Sequence, residues 1–173
     1  MRLREAGLEM VYVGAESGDD AVLKYVDKGA THAEIAEAGQ RLKAAGIKVS
    51  VTLISGLGGK EHLVNHAVNS AKLINEMNPD YVGFLTLMLE PDAPMYEDLQ
   101  KGEFNFLKPK EVFEELKLFI NNVDSEGTVF RSNHASNYIS LGGEFNKDKD
   151  ALLRKIEEAE KNNIHKPEYY RGL

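Results

Sequence analysis

The sequence predicts an α/β fold assembled from successive βα units of a parallel sheet or barrel. Three observations carry this. One phrase occurs twice: "LREAGLEMVYVGAESG" from Leu3 and "LKAAGIKVSVTLISGLGG" from Leu42 each read as a helix end, a glycine, a short strand and a polar, glycine-containing loop. A weaker third copy, "HAVNSAKLINEMNPDYVGFLTLML", gives a helix, an Asn-Pro break and an apolar strand. The copies recur at roughly 35–40 residues, the rhythm of βα units. Finally, "MVYVGA", "VSVTLI" and "YVGFLTLML" are near-continuous apolar runs, the pattern of parallel strands buried on both faces.

Each element has a local reason. Gly7 and Gly46 suit the residue after a helix end, where a left-handed backbone costs glycine little. Between them, "HAEIAEAGQRLKAAG" carries Ile35, Ala38, Leu42 and Ala45 at helical spacing. After the third strand, "EPDAPMYEDLQKGEF" reads as a proline-bracketed loop and short helix. "KPKEVFEELKLFINNV" reads as an amphipathic helix with Pro109 near its start, where a missing N–H costs little. "TVFR" is a short strand that opens a polar loop. "KDKDALLRKIEEAEKNN" closes the fold as a helix with Leu152, Leu153, Ile156 and Ala159 on one face, and the tail, with Tyr169, Tyr170 and Arg171, is expected on the surface. One domain is expected over 1–173, with core βα units over 1–106 and helices, a short strand and a tail over 107–173.

Composition limits function. The 173 residues carry a net charge of −7 without a basic stripe, which argues against nucleic acid and anionic lipid as partners. No apolar run reaches membrane-spanning length and "MRLREAGLEM" is too polar for a signal peptide, so a cytoplasmic protein is expected. There is no cysteine, which excludes disulfides, thiol nucleophiles, zinc–thiolate sites and any iron–sulfur cluster held by this chain's own thiolates. The chain opens on the last turns of a helix, which reads as a piece of a longer fold whose first strand would be an open edge.

Ligands of α/β folds sit at the carboxyl ends of the strands. "GAESGDD", "SGLGGKEH" and "LEPDAPMY" occupy that position. "SGLGGKEH" is not a phosphate cradle. Gly59-Lys60 is followed by Glu61 where a P-loop needs Ser or Thr, and Gly56-x-Gly58 is followed by Glu61 where a dinucleotide fingerprint needs glycine.

The neighbouring phrases are more specific. "VGAESGDDAVLKYVDKGAT" has Gly14, Glu16, Ser17, Gly18, Asp20, Val22, Leu23, Lys28, Gly29 and Thr31 in a "GxESGxDxVL" phrase followed by a basic-Gly-x-Thr turn. "TLISGLGGKE" and "LMLEPDAPMYEDLQKGEF" follow it. Together they resemble the carboxyl-terminal half of the radical S-adenosylmethionine (SAM) barrel, in the group that includes tRNA methylthiotransferases, Elongator-type enzymes and oxygen-independent coproporphyrinogen oxidases. The resemblance runs from Leu3 to about Phe106, and "VFRSNHASNY" also has the look of the family. It implies three βα units of a partial parallel (TIM-like) barrel plus C-terminal helices. It also implies SAM as cofactor, a [4Fe–4S] cluster in the parent only, and oxidoreductase-like radical chemistry. Ile54 and Gly56 match the family's G-x-I-x-G-x-x-E phrase, whose backbone lies along the adenine. Thr52 stands where its first glycine would be, and Glu61 is displaced by two positions.

Candidate residues follow. The resemblance puts Glu16 and Ser17 against the ribose and amino-acid end of SAM, and Ile54, Gly56 and Gly58 along the adenine. The other reading of Ser17 or Asp19 is a helix cap. Arg131, Asn133, His134 and Asn137 form the densest polar group. They could line the SAM or substrate side, or bond to their own loop. His62 and His66 lie four apart on a helix, a metal-compatible spacing better read as a solvated face. Glu90 and Asp92 could act as an acid/base pair or be solvated. Two other readings stand beside the family one. The first is a small α/β enzyme using loop carboxylates and His134; the second is a half-barrel module that self-associates through its open sheet edge.

Overall fold

The computed structural model describes residues 2–172. Its elements in order are α1 (Arg2–Glu5), β1 (Met10–Glu16), α2 (Asp20–Tyr25), α3 (His32–Ala44), β2 (Lys48–Ser55), α4 (Leu63–Met77), β3 (Tyr81–Thr86), α5 (Pro94–Lys101), α6 (Pro109–Asn122), β4 (Val129–Ser132), β5 (Leu141–Glu144) and α7 (Lys149–Lys161). A single 3-10 turn follows at Glu168–Tyr170. One five-stranded sheet has the order β1-β2-β3-β4-β5. The first four strands run parallel, and β5 returns antiparallel to β4. The α/β partial barrel is therefore present, and "TVFR" extends its parallel sheet by a fourth strand.

The helix starts are chemically marked. Thr31 and Glu34 form a reciprocal capping box at α3, satisfying two N–H groups that the helix itself cannot. Gly7 and Gly46 are left-handed, at φ 96° and 74°, as the sequence requires. Asn78 takes the same conformation at φ 45° at the Asn-Pro break.

One sheet face is buried under α3, α4, α6 and α7. Val49, Val51 and Leu53 of β2 and Val82 and Phe84 of β3 point into it. Beyond them Phe84, Phe119, Phe130 and Phe145 form an aromatic cluster with centroid separations of 4.6–6.0 Å, the range of favourable edge and offset contacts. The opposite face is uncovered among the described residues. Registered rows cross it: Tyr12–Ser50–Tyr81–Val129, then Gly14–Thr52–Gly83–Arg131. Tyr12 is 76% exposed there. The expectation of strands buried on both faces thus holds for one face only. Ser50 and Thr52 are where the sequence already alternates.

Candidate functional site

The carboxyl ends of β1, β2 and β3 form one rim, and the three glycine- and proline-bearing loops leave from it. On β1 the register slips between Gly14 and Glu16, a bulge that buries Ala15. Glu16 adopts φ 65°, rare for a residue with a side chain. Its carboxylate folds back over Gly14, where a Cβ would lie 2.4 Å from Oε1. Lys28 Nζ meets that carboxylate at 3.4 Å. A strained strand end therefore holds one carboxylate and one ammonium group above the uncovered face.

The next residues anchor the loop. Ser17 is fully buried, and its hydroxyl accepts from the Asp19 N–H at 3.0 Å. Asp19 caps α2 by accepting from the N–H groups of Ala21 and Val22. Gly18 donates its N–H to Ser70 Oγ at 2.9 Å, directly against the backbone of α4.

On β2, Ile54 points to the uncovered side and Ser55 to the buried one. Gly56 turns the chain at φ 82°, a conformation that disfavours any other residue. Gly58 packs on α4, where a Cβ would come within 2.9 Å of His62 Cβ. Glu61 does not reach the rim's open side. It accepts from Asn105 Nδ2 at 2.7 Å, and that bond lowers its carboxyl pKa. Lys60 adds a 2.7 Å pair with Glu111, so the glycine loop is stapled to the first turn of α6 and to the segment before it.

Beneath this loop lies a group that sequence reasoning missed. Glu115 of α6 is 1% exposed. Its Oε2 accepts from Ser55 Oγ at 2.5 Å and from the Gly56 N–H at 2.8 Å, and its Oε1 accepts from His66 Nδ1 at 2.9 Å. Burial disfavours the charged His66 ring, but the Glu115 carboxylate outweighs it, and the pKa is raised above the ordinary imidazole value. Nε2 of His66 is buried without a hydrogen-bond partner. His66 is thus no member of a solvated metal-compatible face with His62. The signal for both residues was a titratable group inside an apolar helical stripe: Glu115 among Val112, Leu116 and Phe119, and His66 among Leu63, Ala67 and Ser70.

The "RSNHASNY" group divides. Arg131 is exposed on the uncovered face, beside Gly142. Asn133 is exposed, and His134 Nδ1 engages Ser136 Oγ at 2.9 Å. Asn137 turns inward, donating to Phe84 O and accepting from Thr86 Oγ1. Glu90 and Asp92 are exposed.

The tail differs from expectation. Tyr169 and Tyr170 lie on the surface, but the Arg171 side chain turns inward and is 5% exposed. It donates to Ser136 O at 2.6 Å, Tyr138 Oη at 2.6 Å, Glu168 Oε2 at 2.7 Å and Leu87 O at 3.1 Å. Burial and a hydrogen bond to Glu168 push the Tyr138 phenol pKa up. Tyr138, Glu168 and Arg171 form one wall of an open cleft of about 410 Å³, with Gly56, Leu87 and Leu107 among the other walls.

A family model described as the Radical SAM superfamily matches residues 1–71. The heme chaperone HemW of Bacillus subtilis (strain 168) is 22% identical over 145 residues, covering 82% of this chain and 37% of HemW. The archaeal Methanocaldococcus infernus Elp3, solved with an N-terminal deletion (1-46), aligns at a TM-score of 0.64 and 22% identity, covering 94% of this chain and 38% of that one. Over residues 1–71 the chain is thus similar to the radical SAM superfamily. It spans less than two-fifths of the length of these relatives, 37% and 38%. Radical SAM clusters are bound through thiolates, and none of the 173 residues is a cysteine. Among the described residues no group of three or more His, Asp or Glu could hold a metal instead. The donor set does not fit a cluster, and no step through one is assigned to this chain. No helix among the described residues is long and apolar enough to cross a membrane.

Proposed function

We propose that this chain supplies the carboxyl-terminal part of a SAM cleft in a cytoplasmic radical SAM enzyme, with the [4Fe–4S] cluster and the reductive cleavage of SAM supplied outside it. One observation carries the reading. The Glu16 carboxylate, the Ile54 side chain and the Gly56 turn reach one rim, beside a sheet face that nothing in the described chain covers.

Each residue has a definite part. Glu16 accepts from ribose hydroxyls or the cofactor's ammonium group. Ile54 and the Gly56 main chain lie along the adenine, where any side chain at position 56 would be strained at φ 82°. Arg131, Asn133 and His134 line the far rim, where an arginine binds a carboxylate or phosphate of cofactor or substrate. Ser17 and Gly58 act on the cofactor indirectly, by holding the two loops against α2 and α4. A cleft with one half contributed elsewhere binds weakly. Calorimetric titration of the chain with SAM is expected to give weak or undetectable heat. Micromolar affinity would refute the claim that half the cleft lies elsewhere.

A second reading is favoured by the same uncovered face, on which Tyr81 is exposed and Tyr12 is exposed beside the unpaired edge of β1. In this reading two copies pair through that edge. Sedimentation that shows a concentration-independent monomer would exclude it.

A further inference from the structure

The buried Glu115–His66 pair is not accounted for by cofactor contact, because neither side chain reaches the uncovered face. Two ionisable groups buried together are a costly way to fill a core, and well-packed apolar residues often serve as well or better. Their geometry has a specific product. The carboxylate ties the last residue of β2 and the first loop amide to α6, and the ring ties the same carboxylate to α4. The remaining charged group facing the ring is Asp19, at the cap of α2. Its carboxylate is already bonded to Asn69 Nδ2 at 2.6 Å and to the amides of Ala21 and Val22. The Glu16 main chain also lies beside the ring. No charged residue of β2 enters the group, only Ser55 and Gly56.

We propose that Glu115 is a positioning residue, oriented by His66, that fixes the Ser55–Gly56 turn in the shape the cofactor's adenine requires. The clause about adenine rests on the cofactor reading above; the fixing of the turn does not. A loop amide donating to a neutral acceptor or to water would be free to swing. One donating to a buried carboxylate is held by a stronger, charge-assisted bond. The left-handed Gly56 makes this necessary, because glycine has many conformations to lose and nothing in its own side chain to restrict them. Glu115 is therefore the restraint that a glycine turn lacks. His66 leaves the carboxylate one orientation, with Oε1 on the ring and Oε2 toward the turn.

Nuclear magnetic resonance on the isotope-labelled 173-residue chain tests this. In the unmodified chain the Gly56 amide proton is expected downfield of the other glycines, and the His66 Nδ1 facing Glu115 is expected to carry a proton. In Glu115→Gln, which keeps the shape but offers one acceptor oxygen, the Gly56 amide should move upfield. It should also exchange with solvent about tenfold faster or more. The amide of Gly127, at a distant turn, should not change. Added SAM at millimolar concentration should shift Gly56 in the unmodified chain and shift it less in the variant. A folded Glu115→Gln chain with an unmoved Gly56 amide would overturn the proposal. If that variant does not fold, the unmodified chain decides. An ordinary Gly56 shift or a His66 Nδ1 without a proton overturns the proposal, and a downfield amide beside a protonated Nδ1 upholds it. If SAM moves no residue of the turn while Glu115→Gln releases it, the cofactor reading fails and the positioning of the turn stands.

Discussion

Replacing Gly18 with alanine is expected to destabilise the fold by about 3–5 kcal/mol, and the figure follows from what surrounds the residue. A Cβ there would lie 2.3 Å from Asn69 O, 2.6 Å from Ser70 Cα and 2.7 Å from Asn69 C. All three are backbone atoms in the middle of α4, so no rotamer change relieves the clash. The β1–α2 loop must lift off the helix instead. Overpacking of this kind typically costs 1–3 kcal/mol and more against fixed backbone. Lifting the loop also stretches the 2.9 Å bond from the Gly18 N–H to Ser70 Oγ, leaving a buried donor unpaired at about 1–3 kcal/mol. In a domain of this size each kcal/mol lowers Tm by about 2–4 °C, so a fall of about 6–20 °C is expected. Two companions isolate the cause. Ser70→Ala removes only the hydrogen bond and should cost about 1–2 kcal/mol. Gly39→Ala meets Met77 at 2.4 Å, a similar nominal clash, but with a flexible thioether that can move. The better helix propensity of alanine, about 1 kcal/mol, offsets the rest. Urea titration with an unchanged m-value measures all three. The reasoning is refuted if Gly18→Ala lies within about 1 kcal/mol of the unmodified chain, or if Gly39→Ala is the worse of the two.

The His66 pKa is raised in the folded state, so its contribution is complete below the unfolded value of 6.5 and is lost as pH rises through the native value. The urea midpoint should therefore fall from neutral pH upward, with a slope of at most about 1.4 kcal/mol per pH unit from this group, and His66→Gln should flatten that slope. Arg171→Ala leaves the Ser136 and Leu87 carbonyls without their guanidinium donor and should cost about 2–4 kcal/mol by thermal melting. Arg171→Lys should recover little of it, because an ammonium cannot reproduce the fork that reaches both carbonyls. Limited trypsin digestion should then cut after Lys161 faster than in the unmodified chain.

The parallel sheet was legible because each βα unit marks its own limits. Helix ends at Gly7 and Gly46, and strands dense in valine and isoleucine, are local signals, and the structure keeps them where they are written. Strand β5 was not legible. "LGGE" has two glycines in four residues and no strand propensity; it becomes a strand because Val129–Ser132 offers a free edge that its four residues match in antiparallel register. The tail failed for a related reason. "HKPEYYRGL" shows two exposed tyrosines beside one buried arginine, and only a tertiary arrangement of carbonyls at Ser136 and Leu87 decides that the arginine goes inward.

The site divides along the same line, and the division explains what kind of residue a sequence conceals. Glu16 and Gly56 were found because they stand in loops, where a carboxylate or a glycine needs a reason. Glu115 was passed over and His66 was read as part of a solvated face because each sits in an amphipathic helix, where charged residues are ordinary. What distinguishes them is phase. Glu115 lies three residues after Val112 and four before Phe119, and His66 lies three after Leu63 and four before Ser70, so each is directed into the core rather than away from it. A single residue out of phase carries little weight. Two complementary titratable groups on α4 and α6, helices that pack on each other beside one sheet, make a coupled observation, because a carboxylate buried alone would be left uncompensated. The pair could have been inferred only by first assigning both helices to the same face. That assignment follows from the right-handed crossover of successive βα units. Phase and topology together therefore placed the Glu115–His66 contact within reach of the sequence, and neither did so separately.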